Sequence, residues 1–176
     1  MPDFPKVDER ISVYATRWFS LEQKSIQFEP GKMELYYSIR EGDHIAVVAE
    51  DDRKNILLIK QYRPAIEDYV IELPGGHVEN SDPEQSAHAE LIEETGYRAE
   101  RMQLTGKTIV DSGRNQGYLY CYYGSGLEKI GNPSSGIELL PVAKNNIREM
   151  IVNGDFSHSL NLSAVFLACL QGLLSI

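Results

Sequence analysis

The stretch ELPGGHVENSDPEQSAHAELIEETGY, Glu72 to Tyr97, decides the fold. Its first residues close a short strand predicted over Tyr69 to Leu73, and Pro74-Gly75-Gly76 then demands a tight turn or a close backbone approach. Asp82 suits a helix N-cap, Pro83 the first helical position, and Gln85 the acceptor of a capping box. A helix is expected from there to Thr95, with Gly96 as its stop. On that helix Glu90 stands three residues before Glu93 and four before Glu94, so the carboxylates share one face. Like charges at that spacing repel unless a cation joins them, and oxygen-rich sites suit Mg²⁺ or Mn²⁺. Taken alone, a glutamate-rich helix is more often a solvated face.

Outward from this stretch, strand-like segments run Ile11 to Trp18, Lys24 to Phe28, Met33 to Ile39, His44 to Ala49 and Asn55 to Gln61. Beyond it come Met102 to Val110, Tyr118 to Tyr123 and Ile137 to Val142, and helices are predicted over Ala143 to Val152 and Ser159 to Leu174. Strands with intervening helices indicate an α/β (α+β) class. A break at Glu41-Gly42-Asp43 divides a β-rich segment, residues 1–43, from a main domain, residues 44–176. The 176 residues, 42% hydrophobic, suit one self-sufficient domain with a small appendage.

The net charge of −9 argues against a nucleic-acid surface, and an acidic protein that handles phosphates needs a mediating cation. Cys121 and Cys169 are too few and too far apart for a disulfide framework; free buried thiols and a reducing, cytoplasmic location are expected. The start, MPDFPKVDER, lacks the basic and apolar regions of a secretory signal. The apolar tail from Leu160 to Ile176 is short for a span and carries Asn161, Ser163 and Gln171, so a buried terminal helix is expected rather than a membrane segment.

The chemistry-bearing stretch resembles the Nudix box: Gly, five residues, Glu, seven residues, then Arg-Glu-aliphatic-x-Glu-Glu-x-Gly-apolar. Glu90-Leu91-Ile92-Glu93-Glu94-Thr95-Gly96-Tyr97 matches its second half, with Ala89 in place of the Arg. Counting back from Ala89 puts Ser81 at the first Glu and Gly75 at the Gly. Counting forward from Gly76 puts Asp82 at the Glu, with one residue missing before Ala89. Both alignments stay open. Ile56 to Pro64 and Ile71 to Gly76 resemble the approach to the box in ADP-ribose pyrophosphatases and related nucleoside-diphosphate-sugar hydrolases. The first 43 residues resemble that group's dimerising N-terminal sheet, and Asn161 to Ala164 with the apolar tail its final helix.

The resemblance implies an α/β/α sandwich with a mixed sheet, plus the N-terminal β appendage. It implies catalytic Glu90, Glu93 and Glu94, with Glu90, Glu94 and the Gly75 carbonyl holding Mg²⁺ or Mn²⁺. The implied reaction is hydrolysis of the diphosphate in ADP-ribose, giving AMP and ribose 5-phosphate, or in a nucleotide sugar. Arg63 is the candidate diphosphate contact, against a salt bridge to Glu67 or Asp68. Arg114, in Asp111 to Asn115, is a candidate substrate contact, against a plain solvated loop. A homodimer is expected, and no nucleic-acid or membrane partner.

Ala89, Ser81 and an acid-free late loop, Gly131 to Gly136 with Glu128 and Glu138 as its nearest acids, favour a second reading: a weakened domain that binds a nucleotide ligand. A purely structural dimerisation module ranks last, because it leaves the Pro-Gly-Gly turn unexplained. His77 and His88 are possible bases by residue type, and Tyr62, Tyr69 or Tyr118 possible base-stacking platforms; for each, a structural role is the default.

Overall fold

The computed structural model describes residues 4–176, so the first three residues of the expected N-terminal segment lie outside it. Two compact units form. One runs up to Gly42 and takes in Ile109–Tyr118; the other comprises Asp43–Thr108 and Leu119–Ile176. The division by sequence kept Ile109–Tyr118 in the main domain, because nothing local in a loop shows which strand it will join.

The first unit is an antiparallel meander of β1 (Lys6–Ala15), β2 (Ser20–Glu29) and β3 (Lys32–Arg40). The strand predicted over Ile11 to Trp18 stops at Ala15, where the Thr16 hydroxyl accepts the N–H groups of Trp18 and Phe19 and turns the chain. Residues 114–116 are sewn to β3 by the Ile39 N–H to the Arg114 carbonyl and the Gln116 N–H to the Ile39 carbonyl. Buried Glu22 answers Arg40 at 3.1 Å and Gln116 at 2.7 Å.

In the second unit, β4 (His44–Ala49) is central. It pairs antiparallel with β7 (Gly75–His77) and parallel with β9 (Tyr118–Lys129), giving a mixed sheet in the order β7-β4-β9-β8, where β8 is Tyr97–Ile109. A second sheet has the order β10-β5-β6: β10 is Ile137–Ala143, β5 Asn55–Arg63 and β6 Asp68–Glu72. Every residue from Ile45 to Ala49 is buried, so β4 needs cover on both faces. Ile45, Val47 and Ala49 pack with Ala87 and Leu91 of α1 (Pro83–Thr95). The alternate residues Ala46 and Val48 face the other way, and α3 (Ser159–Leu170) also packs on β4, burying Ala164, Val165 and Ala168. The third helix, α2 (Lys144–Asn153), packs on β10. This is the mixed α+β architecture expected. Among the described residues no helix is long and apolar enough to cross a membrane.

The helix that carries the glutamates starts and stops where the sequence indicates. Asp82 Oδ1 accepts the N–H groups of Glu84 and Gln85, and Gly96 ends the helix at φ +74° with its N–H on the Ile92 carbonyl. The reciprocal half of the capping box differs: the Asp82 N–H donates to the Glu79 carbonyl, because Asn80 and Ser81 both take left-handed conformations and fold the chain into a turn there. Asp82→Ala should therefore lower stability by about 1 kcal/mol in chemical denaturation. Gln85→Ala should cost only a few tenths, the size of an ordinary surface change. Equal losses would show that the box is closed after all.

Candidate active site

The site forms where β7 crosses the last two turns of α1. Glu94 is buried, and its Oε2 accepts the Gly75 N–H at 2.8 Å. A Cβ on Gly76 would overlap the Glu90 carboxylate, and a Cβ on Gly75 would overlap the Ile45 carbonyl of the paired strand. Gly75 is therefore fixed by its close approach to the β4 backbone, whereas a side chain at Gly76 would displace the Glu90 carboxylate from its place. Glu93 lies exposed beside them on the helix, and its carbonyl accepts the Ser134 N–H, tying the late loop to α1. Gly96 completes that join, since a Cβ there would strike the Gly131 carbonyl.

The electrostatics of the cluster are those of too many acids in too little water. Burial pushes the Glu94 carboxyl up to about 7; repulsion from Glu90 and Glu72 adds to this, while the Gly75 N–H and Arg63 oppose it. Burial also raises Glu90, with Glu93 and Glu79 repelling it and Arg63 opposing. Glu79 is thus a member of the cluster that sequence reasoning missed. Its only signal was a position just after the glycine turn, outside the helical spacing that marked the others. Neither Ser81 nor Asp82 contributes a carboxylate: Ser81 is exposed at φ +58°, and Asp82 is committed to the cap.

The Arg63 guanidinium pairs with Glu72 in place of the expected salt bridge to Glu67 or Asp68. Its Nε and Nη2 lie 2.8 and 2.7 Å from Oε2 of Glu72, a buried carboxylate at the end of β6. Gln61 Nε2 reaches the same oxygen at 3.1 Å and Glu94 Oε1 at 3.5 Å, linking the Arg63 pair to the metal-candidate helix. An open cleft runs alongside, lined among others by Arg63, Glu72, Gly75, Gly76, His158 and Asn161. Asn161 is buried and accepts the Leu73 N–H at 2.9 Å, which fixes the start of α3 against the approach to the glycine turn.

The remaining candidates fall elsewhere. Arg114 belongs to the first unit, where it donates to the Gly113 carbonyl and covers the Tyr36 ring. Glu128 is paired with Arg98 at 2.6 Å, and Glu138 is exposed on β10 opposite Lys60, so neither late-loop substitute is drawn into the cluster. His77 stacks on His44, and His88 is half-buried on α1. Tyr62 and Tyr69 pack edge to face, both well exposed. Cys121 is buried, and its thiol is pushed up to about 12 by that burial; Cys169 is half-buried, and both are free.

The donor set fits a hard divalent cation of low protein coordination. Among the described residues no group of three or more His, Cys, Asp or Glu side chains is gathered for a metal. Two under-compensated carboxylates beside a glycine backbone suit an ion that keeps much of its water, as Mg²⁺ does.

The NUDIX domain family model matches residues 40–150, more than half of the chain, which therefore belongs to that family. The chain is 28% identical over 121 residues to the methanol dehydrogenase activator of Bacillus methanolicus, covering 68% of this chain and 65% of that protein. It is 30% identical over 91 residues to the ADP-ribose pyrophosphatase of Bacillus subtilis, covering 51% and 49%. Against the mouse ADP-sugar pyrophosphatase it is 28% identical over 109 residues, 55% and 50% of the two chains. These matches span about half to two thirds of the relatives' lengths. A solved structure titled as an ADP compounds hydrolase superposes with a TM-score of 0.82 over 97% of both chains at 20% identity, which shows the shared fold.

A carboxyl whose folded pKa lies above its ordinary value stabilises the fold at low pH and loses that contribution as pH rises through the folded pKa. For Glu94 the window runs from its ordinary 4.5 to about 7, and Glu90 acts in the same direction. Metal-free protein should lose stability in urea as pH rises through that window, and Glu94→Gln should flatten the decline. A decline of equal size in both chains would place the effect elsewhere.

Proposed function

We propose that this domain hydrolyses the diphosphate linkage of a nucleoside diphosphate derivative such as ADP-ribose, giving AMP and ribose 5-phosphate, or of a nucleotide sugar. The observation that carries the reading is the closure of Glu94 on the Gly75 N–H, with Glu90 against Gly76, in a chain of the NUDIX domain family. The names of the B. subtilis and mouse relatives support the substrate class.

In this reading Glu90, Glu94 and the Gly75 carbonyl would hold Mg²⁺ or Mn²⁺, which when bound would supply charge neutralisation at the diphosphate and Lewis acidity towards water. Glu93, exposed on the same helix, accepts a proton from that water. Arg63, fixed by Glu72, presents its remaining N–H donors to a diphosphate oxygen, a contact suited to guanidinium. The oxygen of water joins one phosphorus, and the bridging oxygen leaves with the other phosphate. The free thiols are consistent with a cytoplasmic, reducing setting.

A release assay over nucleoside diphosphate derivatives with Mg²⁺ or Mn²⁺ should find turnover. Glu90→Gln and Glu94→Gln should each lower kcat by more than about 100-fold, beyond what loss of a residue merely supporting a metal ligand costs. Ala89, exposed on α1, and the uncharged Ser81 favour the second reading, a weakened domain that binds nucleotide without efficient turnover. Nucleotide binding with no turnover of any compound would select it.

We infer further that two copies associate through the first unit. Its β1 edge strand is unpaired on one side among the described residues, and Val13 and Leu35 are each more than half exposed. An open, apolar-flanked edge is relieved by pairing. The full chain should sediment as a dimer at low micromolar concentration, and Val13→Asp should shift it toward monomer; a monomeric parent refutes the assignment.

A further inference from the structure

The two oxygens of Glu72 are treated unequally. Oε2 accepts N–H groups from Gln61 Nε2 and Arg63 Nε, with Arg63 Nη2 2.7 Å away in the same ion pair. Oε1 faces His158 Nδ1 at 3.5 Å without a hydrogen bond between them. Glu72 as a residue is 3% exposed and lines the cleft. His158 Nδ1 is likewise buried and lacks a hydrogen-bond partner. The His158 side chain is 37% exposed and the residue lines the cleft, so with Nδ1 buried its exposure is left to the other ring atoms, Nε2 among them.

A buried, unpartnered ring nitrogen 3.5 Å from a carboxylate oxygen has one economical solution. Nδ1 carries the proton and points it at Oε1. The hydrogen bond made by one ring nitrogen sets the state of the other. A neutral ring with Nδ1–H has a lone pair at Nε2, so it offers the cleft an acceptor rather than a donor. Phosphate oxygens, which need donors, are served on the other oxygen of Glu72 by Arg63.

We propose that His158 is a specificity-determining residue, held by Glu72 in its Nδ1–H tautomer so that Nε2 accepts a hydroxyl of the sugar attached beyond the diphosphate. One buried carboxylate then organises two readers on two sides of the cleft: Arg63 for the diphosphate and His158 for the sugar. This rests on the hydrolase reading above and deepens it. The ligand class selected is a nucleoside diphosphate esterified to a polyhydroxylated sugar, in preference to one carrying a plain alkyl group.

The test compares ADP-ribose with the methyl ester of ADP, which keeps the nucleoside and diphosphate but lacks the second sugar. The parent should prefer ADP-ribose in kcat/KM, and His158→Ala should reduce that preference by about tenfold or more, the size expected when a hydrogen-bonding site is lost. His158→Gln, which can return an acceptor at the Nε2 position, should recover part of it. Imidazole ¹⁵N shifts of the parent at pH 8 should report the Nδ1–H tautomer, and Glu72→Gln should shift them. An unchanged preference in a folded His158→Ala protein, or an Nε2–H tautomer in the parent, overturns the proposal. If the parent hydrolyses neither compound, the hydrolase reading fails by itself. Calorimetric binding of the same two compounds to the parent and to His158→Ala then decides the proposal, and equal affinity ratios refute it.

Discussion

The site depends on one close approach: the backbone of Gly75 and Gly76 against the carboxylates of α1. Glu94 accepts the Gly75 N–H, and Glu90 occupies the space that a side chain at residue 76 would fill. Because Gly75 and Gly76 also pair with Ala46 and Ile45, the glycine strand is held by β4 on one side and by the helix on another. The approach to that strand is in turn pinned by buried Asn161 through the Leu73 N–H. The partner that anchors the Glu94 carboxylate is backbone, so that partner has no side-chain rotamer freedom of its own to lose.

That anchoring concentrates negative charge where water is scarce. Burial raises the carboxyls of Glu90 and Glu94 first, and repulsion from neighbouring acids adds to it. Arg63 is the cation that opposes both shifts, although it reaches the cluster from β5 and not from the helix. In the family pattern an Arg precedes the first of these glutamates; here Ala89 stands there, exposed. Arg63, with Gln61 bridging Glu72 and Glu94, therefore carries part of the compensation from a different element. Arg63 is already shared with Glu72, so the compensation is partial, and the remaining deficit is what a divalent cation would meet.

Legibility in the sequence followed the range of the interaction. The bounds of β4 and α1 match expectation because local signals fix them: an apolar run ending in an acidic turn, and a capped helix between Asp82 and Gly96. The strand β7 was invisible, since Gly-Gly-His has no strand propensity and becomes a strand only by pairing with β4. The strand β8 begins directly after Gly96 instead of at Met102, because its alternation over Tyr97, Ala99 and Arg101 is diluted by charge. The helix α3 stops at Leu170, short of Leu174; an apolar tail does not reveal the turn that Gly172 makes at φ +69°. The partners of Arg63 and the place of Glu79 were beyond reach for the same reason: each is set by where a distant strand or loop comes to lie.

The run between the glycines and the helix links these points. Glu79 to Asp82 turn the chain from β7 into α1. The turn is made with two consecutive non-glycine residues in the left-handed region. Ser86 Oγ, from inside the helix, accepts the Glu79 N–H and donates to the Asp82 carbonyl, stitching that turn to α1. The stitch holds the backbone of Glu79 close to the helix, where its carboxylate adds to the field at Glu90. Glu79 thus reaches the field of the helix from the turn before it and not from a position on the helical face.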